Sequence, residues 1–162
     1  MRLSLALSFA AALLLPSPSA AEEPNGFDGF AFGTPRSALL RPLFQERCEP
    51  DGDPIGPRFQ GPRVTCRNYV LQDIGPVTVT LLFGPTDRLT GYVVFIPEHR
   101  HPEFRAITTA KFGPPTSEVE RGQTQTWKWP SGTTATMTTL CIGKRGCLTV
   151  KGKEASASAA PR

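Results

Sequence analysis

Residues 3–15 form a charge-free, largely apolar run between the positive start Met1-Arg2 and the small-residue stretch 16–21, and no other feature constrains the fold more. A positive start, an apolar middle and a small-residue exit follow one another in secretory signal peptides. The run is thirteen residues long, whereas a helix needs roughly 20 to cross a bilayer, so it reads as a removable leader rather than an anchor. Ser19 and Ala21 fill the two small-residue positions before a cut after Ala21, while a cut after Ala20 would put Pro18 at the first of them. A buried core helix is the alternative, but the polar stretch Glu22-Glu23-Pro24-Asn25-Gly26 ends the run abruptly. The expectation is a periplasmic or secreted protein: signal peptide 1–21, a single domain 22–150 with halves at about 27–97 and 98–150, and a disordered Ala/Ser-rich tail 151–162.

An exported chain meets an oxidising space, where thiols pair. Four cysteines remain, Cys48, Cys66, Cys141 and Cys147, and two disulfides are expected. Three connectivities are open; local spacing favours Cys48–Cys66 with Cys141–Cys147. The second pair brackets Ile142-Gly143-Lys144-Arg145-Gly146, which has the glycines and charges of a hairpin turn. The first closes the Pro/Gly-rich loop beginning at Glu49, a closure that stabilises by about 3 kcal/mol in the chain-entropy account. A four-cysteine zinc site is disfavoured, because neither pair has the close spacing of a zinc ribbon.

The rest alternates helix signals with strand signals. Residues 27–33 read as a short strand or an extended lead, and Thr34-Pro35 as a helix start, with Ala38, Leu39, Leu43 and Phe44 as the buried stripe and Pro42 shortening it. Three strands follow at 64–71, 77–83 and 89–96, separated by Gly75-Pro76 and Gly84-Pro85-Thr86-Asp87. Tyr92 to Ile96 is apolar on both faces, which predicts the most central strand. Pro102 opens a second helix to about Phe112, burying Phe104, Ile107 and Phe112, and Gly113-Pro114-Pro115 stops it. Strands are expected again at 118–129, 133–142 and 147–150. The fold class is therefore α+β: helices packed on one face of a twisted antiparallel sheet, in two successive α-then-three-strand units.

The stretch from Lys111-Phe112-Gly113-Pro114-Pro115 to Trp127-Lys128-Trp129 resembles the fold shared by β-lactamase-inhibitory protein and the small lipoprotein of the outer-membrane β-barrel assembly machinery. The helix-ending Gly-x-Pro step before a tryptophan strand is similar to the lipoprotein family, and covers roughly a third of the chain. The tandem halves with one local disulfide each are more like the inhibitory protein. The lipoprotein's acylated cysteine is missing, because no cysteine lies near the cut. The resemblance implies a binding module without catalysis.

Charge excludes a dense nucleic-acid interface. Removing 1–21 takes Arg2 and no acid, so 18 basic and 14 acidic residues become 17 and 14, a net charge of +3; that suits weak attraction to anionic surfaces. The candidate binding surface is Trp127 and Trp129, side by side on one strand face, with Lys144 and Arg145 at the hairpin tip. Tryptophans so placed serve either as core or as a stacking platform. Thr134, Thr136 and Thr138 line one face of their strand, as a solvated sheet face or a hydroxyl-bearing surface for carbohydrate. Arg58, Arg63 and Arg67 read as a solvated edge.

His99 and His101, two apart between Glu98 and Glu103, are metal-ligand candidates, although Arg100 between them opposes a cation and Glu103 is explained as a first-turn acid of the helix. Pro130-Ser131-Gly132 is turn chemistry and not a nucleophile motif. The reading is an exported non-catalytic module of the cell envelope with no cofactor, contacting an envelope protein or polymer and no nucleic acid. Two rivals stand beside it: an inhibitor presenting loop 49–63 or 142–146, pre-organised by a disulfide, and a metal-dependent enzyme at His99 and His101.

Overall fold

A computed structural model describes residues 21–40, 48–50, 62–71, 74–119, 123–142 and 145–153. Residues 1–20, and with them nearly all of the expected signal peptide, lie outside the described residues, as do Leu43, Phe44, Arg58, Lys144 and most of the tail.

Strong β-formers separated by Pro, Gly and Asp turns produce an antiparallel sheet. The first half contributes β3 (Cys48–Pro50), β4 (Arg63–Leu71), β5 (Gly75–Phe83) and β6 (Leu89–Pro97). The second contributes β7 (Ser117–Val119), β8 (Thr124–Lys128), β9 (Thr134–Ile142) and β10 (Arg145–Lys151). The strand order is β3-β4-β5-β6-β10-β9-β8-β7, so β6 and β10, the last strand of each half, lie side by side near the middle. Ahead of them, β1 (Gly26–Phe27) and β2 (Phe30–Ala31) form a separate hairpin. Its turn places Asp28 and Gly29 at φ 46° and 83°, the left-handed pair that Asp-Gly supplies at least cost.

Helix is sparse. The first, α1 (Arg36–Leu40), has five residues, and α2 (His101–Phe112) has twelve, preceded by a 3-10 turn at Glu98–Arg100. The described protein is thus a sheet-rich antiparallel structure with few helical residues, coarser than the layered α+β arrangement expected. Each half gives the large sheet four strands rather than three. The segment 118–129 is not one strand: β7 and β8 pair with each other as a hairpin. Lys151 belongs to β10, so order continues into the expected tail.

The main core lies between one sheet face and α2 with the N-terminal segment. Val79, Leu81, Val94, Ile96 and Leu148 from the sheet meet Leu39, Phe104 and Phe112. Of the expected helical core, Leu39, Phe104 and Phe112 are buried, but Ala38 is exposed and Ile107 only half-buried. As expected from its double-sided apolarity, β6 is central and almost wholly buried; Val93 and Phe95 form a second cluster with Cys147 on the opposite face. Arg63, read as a solvated edge charge, is buried at 6 % exposure, since β4 is flanked by β3 and β5 and is not an edge.

Both favoured cysteine pairs are joined. Cys48 and Cys66 stand directly opposite each other on β3 and β4 with Cα atoms 4.0 Å apart. Cys141 and Cys147 join the β9–β10 hairpin with Cα atoms 5.7 Å apart, although Cys147 is in register with Thr138. The register shift between Arg145 and Cys147 brings Cys141 within reach.

Candidate functional site

The two faces of the sheet differ in chemistry because side chains alternate along each strand. On the α2 side, Gln125 and Trp127 of β8 and Ala135 and Met137 of β9 are buried. On the other side, cross-strand register assembles hydroxyls into rows. Ser117, Thr126, Thr136 and Thr149 align across β7, β8, β9 and β10. Thr124 and Thr138 align beside them, ending at Cys147, and Lys128, Thr134 and Lys151 form the third row. The threonines are half-buried, as expected for short side chains standing on a sheet, while Ser117, Lys128 and Arg145 are exposed. Thr124 Oγ1 donates to Thr138 Oγ1 at 3.4 Å. Val119 and Ile142, two of the large apolar side chains left exposed, are in register with Thr124 and Arg145 on this same face.

The charges segregate likewise. Ion pairs join Arg36 to Asp87 at 3.0 Å, Arg100 to Glu103 at 3.1 Å and Arg105 to Glu118 at 3.1 Å, off the hydroxyl face. Glu118, the sole acid of the four strands β7–β10, is turned toward α2, where Gln125 also donates to it at 3.2 Å.

Of the expected binding residues, Trp127 and Trp129 belong on the core side. Trp127 is 2 % exposed. Its Nε1–H donates to the Gly113 carbonyl at 2.9 Å, and Phe112 meets both indoles edge-on at 5.9 and 5.5 Å. Trp127 therefore offers no ring face to a ligand, which corrects its place in a binding surface; Trp129 is half-buried against the same core. Arg145 is exposed on the hydroxyl face, and Lys144 lies outside the described residues.

The structure uses the two histidines differently. His99 is exposed on the 3-10 turn. His101 Nε2 accepts the Gly146 backbone N–H at 2.9 Å and lies 3.2 Å from the Ile96 carbonyl oxygen. A Cβ on Gly146 would come within 2.5 Å of that nitrogen. The β10 irregularity and its glycine thus make room for the imidazole. Arg100 reaches Glu103 and the Ile74 carbonyl, so it ties the helix start to the β4–β5 connection. Among the described residues no three His, Cys, Asp or Glu side chains gather as a metal site.

A cavity of about 440 Å³ lies on the other side of the sheet, under the N-terminal segment. Tyr92, Val94 and Leu148 line its sheet wall, Phe104 and Ile107 its α2 wall, and Glu22 to Gly29 its roof. Burial pushes the Tyr92 phenol well above its ordinary range. Tyr69 is raised too, by burial first and then by its hydrogen bond to and the charge of Asp28. The roof is fastened by Glu22 N–H to Lys111 O at 2.9 Å, by Ser131 to Glu23, and by Tyr69 to Asp28.

No known protein family matches this chain, and neither a curated protein nor a solved structure is similar to it.

Sequence reasoning missed Thr126 and Thr149 as members of the surface. Alternation marks each strand's face, but the neighbours of β9 are set by strand order, which no local pattern carries.

Proposed function

We propose that the chain is an exported, non-catalytic binding module of the cell envelope that contacts a protein or polymer through the sheet face opposite α2. The observation that carries this reading is the assembly on one face of aligned hydroxyls, exposed cations and the exposed apolar side chains Val119 and Ile142, while the acids turn away. Aligned hydroxyls beside exposed cations offer a partner both hydrogen bonds and charge.

Removal of the leader after Ala21 and delivery to the periplasm or exterior belong to the same proposal. Two disulfides, and the absence from the described residues of any helix long and apolar enough to cross a membrane, support it.

The test uses photo-crosslinking in cells. A crosslinker at Thr136 is expected to capture an envelope component, and the same group at Arg105 on the α2 side is expected not to. Equal capture at both positions, or at neither, overturns the reading.

A further inference from the structure

The hydroxyl face has a charge pattern that narrows its partner, resting on the binding reading above. We infer that this face binds an acidic polysaccharide, a sugar chain bearing carboxylate, sulfate or phosphate groups. Thr126, Thr136 and Thr149 stand in register across three strands, so their hydroxyls repeat about every 4.8 Å across the sheet, and the neighbouring rows lie about 6.8 Å away along it. Each threonine hydroxyl offers one donor and two acceptor positions, which suits a partner that is itself rich in hydroxyls. The exposed Lys128 flanks one side of this array and the exposed Arg145 the other.

The five strands β6 to β10 place no carboxylate on this face. Exposed cations at either side of a hydroxyl lattice complement a repeating anion. A neutral glycan would leave Lys128 and Arg145 without a role. A protein partner would be expected to engage the apolar side chains Val119 and Ile142 at the margins more than the hydroxyl rows. The cations also set a signature: attraction between exposed charges weakens as the screening length shrinks from about 10 Å at 0.1 M salt to about 3 Å at 1 M.

The test is binding of the mature, oxidised protein to immobilised polygalacturonate, with dextran as the neutral control, across a salt series. Binding to polygalacturonate that falls with salt, and none to dextran, is expected. The pair Lys128→Glu with Arg145→Glu should weaken binding by about tenfold with the melting temperature unchanged. Thr126→Val with Thr136→Val should weaken it further while keeping both charges. Equal binding to the two polymers, charge reversal without effect, or no polymer binding overturns the inference. The Thr136 crosslinker separates this from failure of the broader reading: capture of a protein there, with no polymer bound, leaves the module a binding protein of another class.

Discussion

The Gly146 amide shows how one residue can hold two elements together. It is buried in β10 and its N–H goes to His101 Nε2 at 2.9 Å. His101→Ala removes that acceptor and leaves the N–H only its sheet partner Ile96, a lost hydrogen bond worth about 0.5–1.5 kcal/mol. His99→Ala, on an exposed turn, should stay within about 0.5 kcal/mol of the parent. Urea unfolding of the two variants checks the contrast; equal midpoints would show that the amide finds another acceptor. Tyr92 adds a pH dependence. Its folded phenol binds its proton more tightly than the unfolded one, because burial disfavours the phenolate. The folded state therefore holds more protons above the ordinary tyrosine value near 10. Stability is unaffected below that pH and falls as pH rises beyond it, by about 1.4 kcal/mol per unit. Tyr92→Phe should flatten the loss measured by denaturant unfolding between pH 9 and about 11; an unchanged slope would remove Tyr92 as its source.

At the scale of elements, the two disulfides differ in what they join. Cys48–Cys66 spans a sequence separation of 18 and ties the three-residue edge strand β3 to β4, whereas Cys141–Cys147 spans 6 within one hairpin. Loop closure predicts a loss of about 3 kcal/mol for Cys48→Ser with Cys66→Ser and about 2 kcal/mol for Cys141→Ser with Cys147→Ser. Thermal unfolding of the two double variants ranks them, and the reverse order would mean that native-state packing around the hairpin bridge outweighs chain entropy. The strands themselves were largely legible. Tyr92 to Ile96 announced a central strand, and the Thr/Ala/Thr/Met/Thr alternation of β9 announced its two faces. At Asp28-Gly29 a strong turn signal splits what reads as one short strand or extended lead into a two-strand hairpin. The β7–β8 hairpin was harder, since 118–129 offers no Pro and only Gly122 as punctuation. Trp127 was legible as a large apolar residue on a strand. Its burial depends on where α2 ends, because Gly113 stops that helix at φ 76° and its carbonyl takes the indole N–H. The hydroxyl rows were least legible, because pairing β10 with both β6 and β9 is a long-range choice.

Over the whole molecule, the N-terminal segment joins parts that the sheet alone would leave separate. It begins at the end of α2, roofs the cavity, places Phe27 in the core against Tyr69 and Tyr92, and leaves through Gly33, whose N–H pairs with Leu89 O at 2.8 Å. Its first fastening has a consequence for maturation. Glu22 N–H donates to the carbonyl of Lys111, in the last turn of α2, where the helix dipole presents its negative end. Cleavage after Ala21, as proposed above, turns that amide into an ammonium group and so puts a full positive charge at that carbonyl. Such a charge stabilises by about 0.3–1 kcal/mol at low salt. A protein starting at Glu22 should therefore exceed its N-acetylated form in stability by that amount. The acetylated chain keeps the N–H and loses only the charge, so the difference isolates electrostatics from hydrogen bonding. The gap should close at about 1 M salt, where screening acts within about 3 Å. Equal stability of the two forms at low salt, measured by urea unfolding, would mean that the roof is fastened by its other contacts and that the cut site contributes nothing to the helix it touches.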